Sequence, residues 1–165
     1  MTDTEHRGAL HGTVAHEVLL AAPPDRVFAA FSDFELRQRW FRIPGEPGAS
    51  RHELDFRPGG GETTSGPLAV GGVVEHVEYR SRFLDIVPAQ RIVLTSELVL
   101  DGLRRSLSLV TVELSPHADG TRLVYTEQFV FVVLTGDGSA DIAEREGSTR
   151  LMLNGLAAVV EARPS

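Results

Sequence analysis

The chain has 165 residues, 42% of them apolar, which suits one substantial hydrophobic core and leaves too little for two. With 23 acidic residues against 16 basic ones its formal net charge is −7, so the average surface repels nucleic acid and anionic lipid. The absence of cysteine excludes disulfides, thiolate zinc sites and a cysteine nucleophile. Every basic residue is arginine, a bias that fits a GC-rich genome rather than a functional device. Residues 1–11 are polar and lack the apolar run of a signal peptide, and no later run reaches the length of about 18 apolar residues that spans a bilayer. The expectation is a cytoplasmic protein with a flexible segment over 1–11 and one domain over 12–163.

In chain order, residues 13–20 place Val14, His16, Val18 and Leu20 on one side of an extended strand. Pro24 has the fixed φ of a helix first turn, and Val27, Phe28 and Phe31 then share a helical face. Ser32 and Glu35 have capping-box spacing, which predicts a second short helix carrying Leu36 and Trp40 at i,i+4. Between Arg42 and Gly72 the prolines at 44, 47, 58 and 67 and the run Gly59-Gly60-Gly61 interrupt the pattern, leaving His52 to Arg57 as the one predicted strand. The glycine run lacks the lysine and Ser/Thr of a phosphate-binding loop and reads as a turn. Four further strands follow, Val73 to Val87, Arg91 to Leu100, Leu103 to Leu114 and Thr121 to Val133, joined by turns short enough to make an antiparallel meander. After Gly138 the period changes to that of a helix, starting at Ser139 or Asp141. Its stripe is Ile142, Thr149, Met152, Leu153, Leu156, Val159 and Val160, and Pro164 ends it. Such a helix requires an apolar partner, and the inward face of the meander is the one large surface on offer.

This order of elements resembles the helix-grip fold of the START-like, or SRPBCC, superfamily. The words Ala22-Pro23-Pro24-Asp25-Arg26-Val27-Phe28 followed by Trp40 are similar to that superfamily's strand-to-helix opening. Phe83-Leu84-Asp85-Ile86-Val87-Pro88-Ala89-Gln90-Arg91-Ile92-Val93-Leu94-Thr95 resembles a phrase of one branch, the homology family of the 90-kDa heat-shock protein ATPase activator. Asp119-Gly120-Thr121-Arg122-Leu123 and Glu146-Gly147-Ser148 agree with the same branch, although Ser148 stands where that family usually has tryptophan. The resemblance implies an α+β fold, a curved antiparallel sheet around a long C-terminal helix with two short helices after the first strand. Its members include ligand carriers, polyketide cyclases or dehydratases, and chaperone-binding domains.

Alternate residues of a curved sheet face its hollow. The strand phases put Phe83, Leu94, Ser96, Leu98, Leu107, Leu109, Leu123, Tyr125, Glu127 and Phe129 there, with Tyr79 and Ser81 in step with Phe83. Met152 and Leu156 close the space from the helix, and Trp40 and Phe41 guard one end. The ligand-binding set expected from this is Trp40, Phe41, Tyr79, Ser81, Phe83, Ser96, Leu98, Tyr125, Glu127, Phe129, Met152 and Leu156; a filled core made of the same residues is the alternative. Glu127 is the polar residue to watch. Buried alone it would hold a raised pKa and act as acid, base or donor, whereas at a sheet end it would meet water or an arginine. His16 and His76 have no partner legible in sequence, and His6, His11, His52 and His117 lack metal-ligand spacing, so no metal and no cofactor are expected. Gly147 and Gly155 suggest close backbone packing of the helix.

The leading functional expectation is a carrier or sensor enclosing a small apolar or amphipathic molecule. A cyclase-like enzyme using the same cavity and a chaperone-interaction module working through its surface are the alternatives. A homodimer or chaperone contact stays open, and neither a nucleic-acid partner nor a membrane span is expected.

Overall fold

Short turns force neighbouring strands to run antiparallel, and the computed structural model, which describes residues 5–163, obeys that constraint throughout its sheet. The elements are β1 (Glu5–Leu20), α1 (Pro24–Ser32), α2 (Phe34–Trp40), β2 (Arg51–Leu54), β3 (Gly61–Val70), β4 (Val73–Val87), β5 (Arg91–Leu100), β6 (Leu103–His117), β7 (Gly120–Thr135) and α3 (Ser139–Glu161). The strands form one sheet in the order β1-β7-β6-β5-β4-β3-β2, so β2 to β7 are a continuous meander and β1 closes onto β7. Asp101 and Gly102 both take positive φ (48° and 79°), as do Gly71 and Gly72 (58° and 82°), the backbone twist that suits a two-residue hairpin. The long helix α3 lies across the concave side, with α1 and α2 beside it. This is the helix-grip α+β fold.

Curvature comes from irregular register. Leu84 is an extra residue in β4 between the pairs Phe83↔Leu94 and Asp85↔Val93, and Arg105 is an extra residue in β6 between Leu98↔Ser106 and Val99↔Arg104. Each bulge bends its strand and strengthens the local twist. The main core gathers Val27, Phe31 and Trp40 from the short helices, Ile92, Val112 and Leu123 from the sheet, and Leu153, Leu156 and Val160 from α3. A second cluster of Val14, Phe129, Phe131 and Leu134, with Leu10 and Ile142 against it, fills the space near the start of α3. Trp40 Nε1 donates to the Ala30 carbonyl at 2.9 Å, so its buried ring carries no unmet donor. Gly155 lets α3 approach α2: a Cβ built there would stand 3.4 Å from that of Trp40. Gly147 meets nothing within 4 Å and so is not a close-packing glycine.

Several boundaries differ from the sequence expectation. The segment expected to be flexible through residue 11 is strand from Glu5, because the backbone of β7 from Val130 to Thr135 needs a hydrogen-bonding partner whatever the side-chain pattern opposite; residues 1–4 of that expectation lie outside the described residues, as does Pro164. The cap of α2 is Asp33, which accepts from the Leu36 N–H at 3.1 Å, and Ser32 belongs to α1. The strand expected at His52 to Arg57 stops at Leu54, and β3 was hidden by Gly61, Gly66 and Pro67. Pro67 is tolerated because β2 pairs β3 only as far as Ser65, which leaves an open edge beyond it. Among the described residues no helix is long and apolar enough to cross a membrane.

The packing of α3 sets a test of the architecture. Leu156 is 1% exposed in the main core, whereas Leu151, five residues earlier, is 73% exposed. Leu156→Ala should lower the unfolding free energy by about 2–5 kcal/mol and Leu151→Ala by well under about 1 kcal/mol; equal midpoints in chemical denaturation would contradict the observed seating of the helix.

Candidate functional site

Small side chains at the centre of a bent sheet leave room that one covering helix cannot fill. In this protein they are Ser96 on β5 and Ser106 and Ser108 on β6, and above them lies a cavity of about 540 Å³, within the range of about 300–1,000 Å³ typical of small-molecule pockets. Phe31, Trp40 and Phe41 wall it from the short helices, Phe83, Leu94, Leu98, Val110 and Val112 from the sheet, and Thr149 and Met152 from α3. The exposed residues Arg42, Pro44 and Leu151 mark its rim. A shallower, more polar recess bounded by Phe34, Arg39 and His52 lies outside, with Thr64 and Arg42 in the wall between the two.

Nine of the twelve expected site residues line the cavity: Trp40, Phe41, Tyr79, Phe83, Ser96, Leu98, Tyr125, Glu127 and Met152. Three do not. Ser81 shares the face but uses its hydroxyl on the backbone of Glu62, accepting from the amide at 3.2 Å and donating to the carbonyl at 3.3 Å. Phe129 packs over Gly12 and against Phe131 (ring centroids 5.1 Å apart) in the second cluster. Leu156 is buried in the main core. Leu107 and Leu109, expected inside, are both exposed, because the bulge at Arg105 reverses the phase of β6 and turns Ser106, Ser108, Val110, Val112 and Leu114 inward.

The polar groups form two clusters. In the first, Arg145 of α3 reaches down to the sheet: Nη1 meets Glu127 Oε2 at 2.5 Å and Ser108 Oγ at 3.3 Å, and Nη2 donates to Ser106 Oγ at 2.6 Å. Ser108 donates to the same Glu127 oxygen at 2.5 Å, and the guanidinium also lies 5.2 Å from the Phe131 ring centre. Glu127, 4% exposed, is thus a matched carboxylate and not an isolated acid. In the second, Arg37 of α2 makes a fork onto Glu62 of β3, with Nη2 to Oε1 at 2.6 Å and Nε to Oε2 at 2.8 Å. Its guanidinium stacks on Phe41 and Trp40, 3.9 and 4.4 Å from their ring centres. His52 Nε2 lies 2.8 Å from Glu62 Oε2; an ionised carboxylate only accepts, so this nitrogen carries the hydrogen, and His52 Nδ1 and Thr64 Oγ1 are left buried without a protein partner. Burial pushes the Glu62 carboxyl up, but the Arg37 charge and hydrogen bonds, with His52, outweigh it and hold the group below the usual carboxylate range. Between the clusters stand two phenols. Burial, reinforced by the Glu62 charge, pushes Tyr79 up to about 12. Burial also raises Tyr125, with the Glu127 charge and the neighbouring Tyr79 adding to it.

Neither arginine was singled out in the sequence, yet Arg145 had a visible signal. It occupies the position three after Ile142 and four before Thr149, within the apolar stripe of α3 and in a chain with a glutamate in the inward phase of β7. Arg37 is three residues before Trp40 and shares its buried face, whereas the expected Leu36 is only half-buried. His16 is half-buried with Nε2 unpartnered, outside the cavity wall, and His76 is exposed at the far end of β4.

Comparison with known proteins agrees with this architecture. A family model described as Activator of Hsp90 ATPase homolog 1-like protein matches residues 21–161. Among solved structures, the Mll3558 protein of Rhizobium loti is 41% identical, with a TM-score of 0.78 over 92% of this chain and 99% of its own. A putative uncharacterized protein of Rhizobium leguminosarum is 39% identical, with a TM-score of 0.80 over 94% and 98% of the two chains. CalU16 of Micromonospora echinospora, 20% identical with a TM-score of 0.60 over 95% of this chain and 86% of its own, shares the fold. No curated protein matches the chain.

Two measurements follow from the electrostatics. Because Glu62 is held below its unfolded value, its pairing stabilises the protein fully above the ordinary carboxyl pKa and is lost as pH falls through the depressed value. Glu62→Gln should therefore cost about 3–5 kcal/mol at neutral pH and flatten the acid limb of the stability curve; an unchanged limb would show that the pair is not matched in solution. The phenols have the opposite sign. Held above the unfolded pKa of about 10, they contribute stability that is complete below that pH and lost as pH rises through the folded values. Ultraviolet titration of the folded protein, whose two tyrosines are these, should show no phenolate at pH about 10.

Proposed function

The chain belongs to the Activator of Hsp90 ATPase homolog 1-like family, and we propose that within it this protein encloses a small, mostly apolar molecule between sheet and C-terminal helix, as a carrier or sensor. The observation that carries this reading is the cavity of about 540 Å³ whose walls are aromatic and aliphatic and whose few polar groups converge inward. A core of close-packed protein leaves few voids larger than a water molecule, so a space of this size stands apart from ordinary packing and matches that of a small-molecule site. Trp40 and Phe41 form one end of the chamber, Tyr79 and Tyr125 supply hydroxyls within it, and Met152 provides an adaptable lid.

The enzyme reading requires a side chain free to move a proton at the substrate. Glu127 is already engaged by Arg145 and Ser108, which favours binding over catalysis. A surface-acting chaperone module would have no use for the hollow.

The single tryptophan is itself the reporter, because Trp40 lies in the cavity wall. Anthracene-2-carboxamide absorbs where tryptophan emits and is small enough to enter. Titration should give saturable energy transfer from Trp40 with one site per chain. Ser96→Phe, which fills the chamber from the sheet, should weaken binding at least about tenfold with the melting temperature preserved. Absence of saturation in the wild type, or equal affinity in the filled variant, would end this proposal.

A further inference from the structure

Residues 66–74 consist of glycine, proline, leucine, alanine and valine alone, with no charged or hydrogen-bonding side chain. They form the end of the β3–β4 hairpin, whose last pairs are Leu68↔Glu75, Ala69↔Val74 and Val70↔Val73. This end projects from the sheet as a two-stranded finger: β2 pairs β3 only as far as Ser65, and β5 pairs β4 only from Val77 onward. Of the large apolar side chains among the described residues, the four most exposed are Leu151 (73%), Val74 (65%), Val73 (61%) and Val70 (60%). Leu151 is on the cavity rim, and Val70 and Val73 extend the face of Leu68, which lines the cavity. Ala69 and Val74 make the opposite face apolar as well.

A finger with valine on both faces calls for an apolar surround, whereas a flat protein partner covers one face. Its exposed surface is on the order of a few hundred Å², short of the roughly 800 Å² that each partner buries in a stable protein interface. Strand addition by a second copy along the open edge is hindered too. Alternation from Gly61, whose carbonyl accepts from the Asp55 N–H, turns the backbone of residues 67 and 69 outward, and Pro67 has no N–H to give. Backbone pairing between the two strands runs to Val70 and Val73, as an element entering lipid requires. We propose that residues 66–74 dip into the interfacial layer of a zwitterionic lipid surface, with Leu151 meeting it alongside, so that the mouth of the cavity opens onto lipid. A net charge of −7, with Glu75 directly behind the tip, disfavours an anionic bilayer. An apolar molecule then passes between bilayer and chamber without crossing water; that consequence rests on the binding reading above, and the docking itself does not.

The test is co-sedimentation with vesicles of phosphatidylcholine alone and of phosphatidylcholine mixed with phosphatidylglycerol. The wild type should partition onto the first and less onto the second. Val70→Asp/Val73→Asp should lower the partition at least about tenfold and keep the fold, both side chains being exposed. Leu107→Asp/Leu109→Asp, which charges exposed positions elsewhere on the sheet, should leave it unchanged. Because the chain has no cysteine, Val74→Cys accepts a single polarity-sensitive nitrobenzoxadiazole label. Its emission should shift to the blue on phosphatidylcholine, and that of the same label on Leu107→Cys should not. No partition of the wild type, partition untouched by the two aspartates at the tip, or partition that rises with phosphatidylglycerol overturns the proposal. So does a lipid-free dimer that the same double substitution dissociates, which gives the tip to a second copy. Energy transfer from Trp40 to a cavity probe is read without lipid, so the binding reading stands or falls separately.

Discussion

A charge can enter a low-dielectric interior only in company. Here each of two covering helices sends one arginine inward, and each arginine ends on a glutamate from the sheet: Arg37 of α2 on Glu62 of β3, and Arg145 of α3 on Glu127 of β7. Non-directional apolar packing would tolerate many placements of a helix over a concave sheet. A fork of hydrogen bonds does not, because a shift by one residue leaves an arginine and a glutamate buried and unmet. The pairs thus act as locating pins, α2 toward the β2–β3 side of the sheet and α3 toward the β7 side. Ser106 and Ser108 take up donor and acceptor positions that Glu127 and Arg145 would otherwise leave open.

The cavity is a consequence of the same arrangement. Curvature introduced by the bulges at Leu84 and Arg105 separates the middle of the sheet from the axis of α3, while the serines beneath are too short to bridge the gap. Large side chains are concentrated around the perimeter, where Phe31, Trp40, Phe41, Phe56 and Phe83 meet edge to face. The result is a rigid aromatic frame around a hollow with hydroxyl groups at its base.

Much of this was legible in the sequence. Period 2 found β4, β5 and most of β6 and β7, a period of 3.6 found α3, and the phase of β4 and β7 put Tyr79, Phe83, Tyr125 and Glu127 inside. The misses share a cause. The inward turn of Ser106 and Ser108 depends on a single extra residue, Arg105, and alternation counted from Leu103 turned Leu107 and Leu109 inward instead. β3 carries Gly61, Gly66 and Pro67, each a strand breaker in isolation, and exists because β4 offers it a complete ladder. Arg37 and Arg145 look like ordinary helix-surface residues until the partner strand is brought beneath them. Local pattern sees one element at a time, and these features belong to pairs of elements distant in the chain.

The closing pair of the sheet also bears on how the chain folds as it is made. β1 emerges from the ribosome first, but its partner β7 emerges after every other strand, and even the tightest crossing of the two sets Leu20 opposite Thr121. The hairpins from β2 to β7 can zip in sequence, each strand finding its neighbour moments after synthesis, whereas β1 waits through most of translation with its inward apolar residues uncovered. Joining it is a loop closure of high contact order, the slow kind of event in folding. The helix that shields the hollow follows β7 directly, so the last elements of this fold to appear complete both the sheet and its cover.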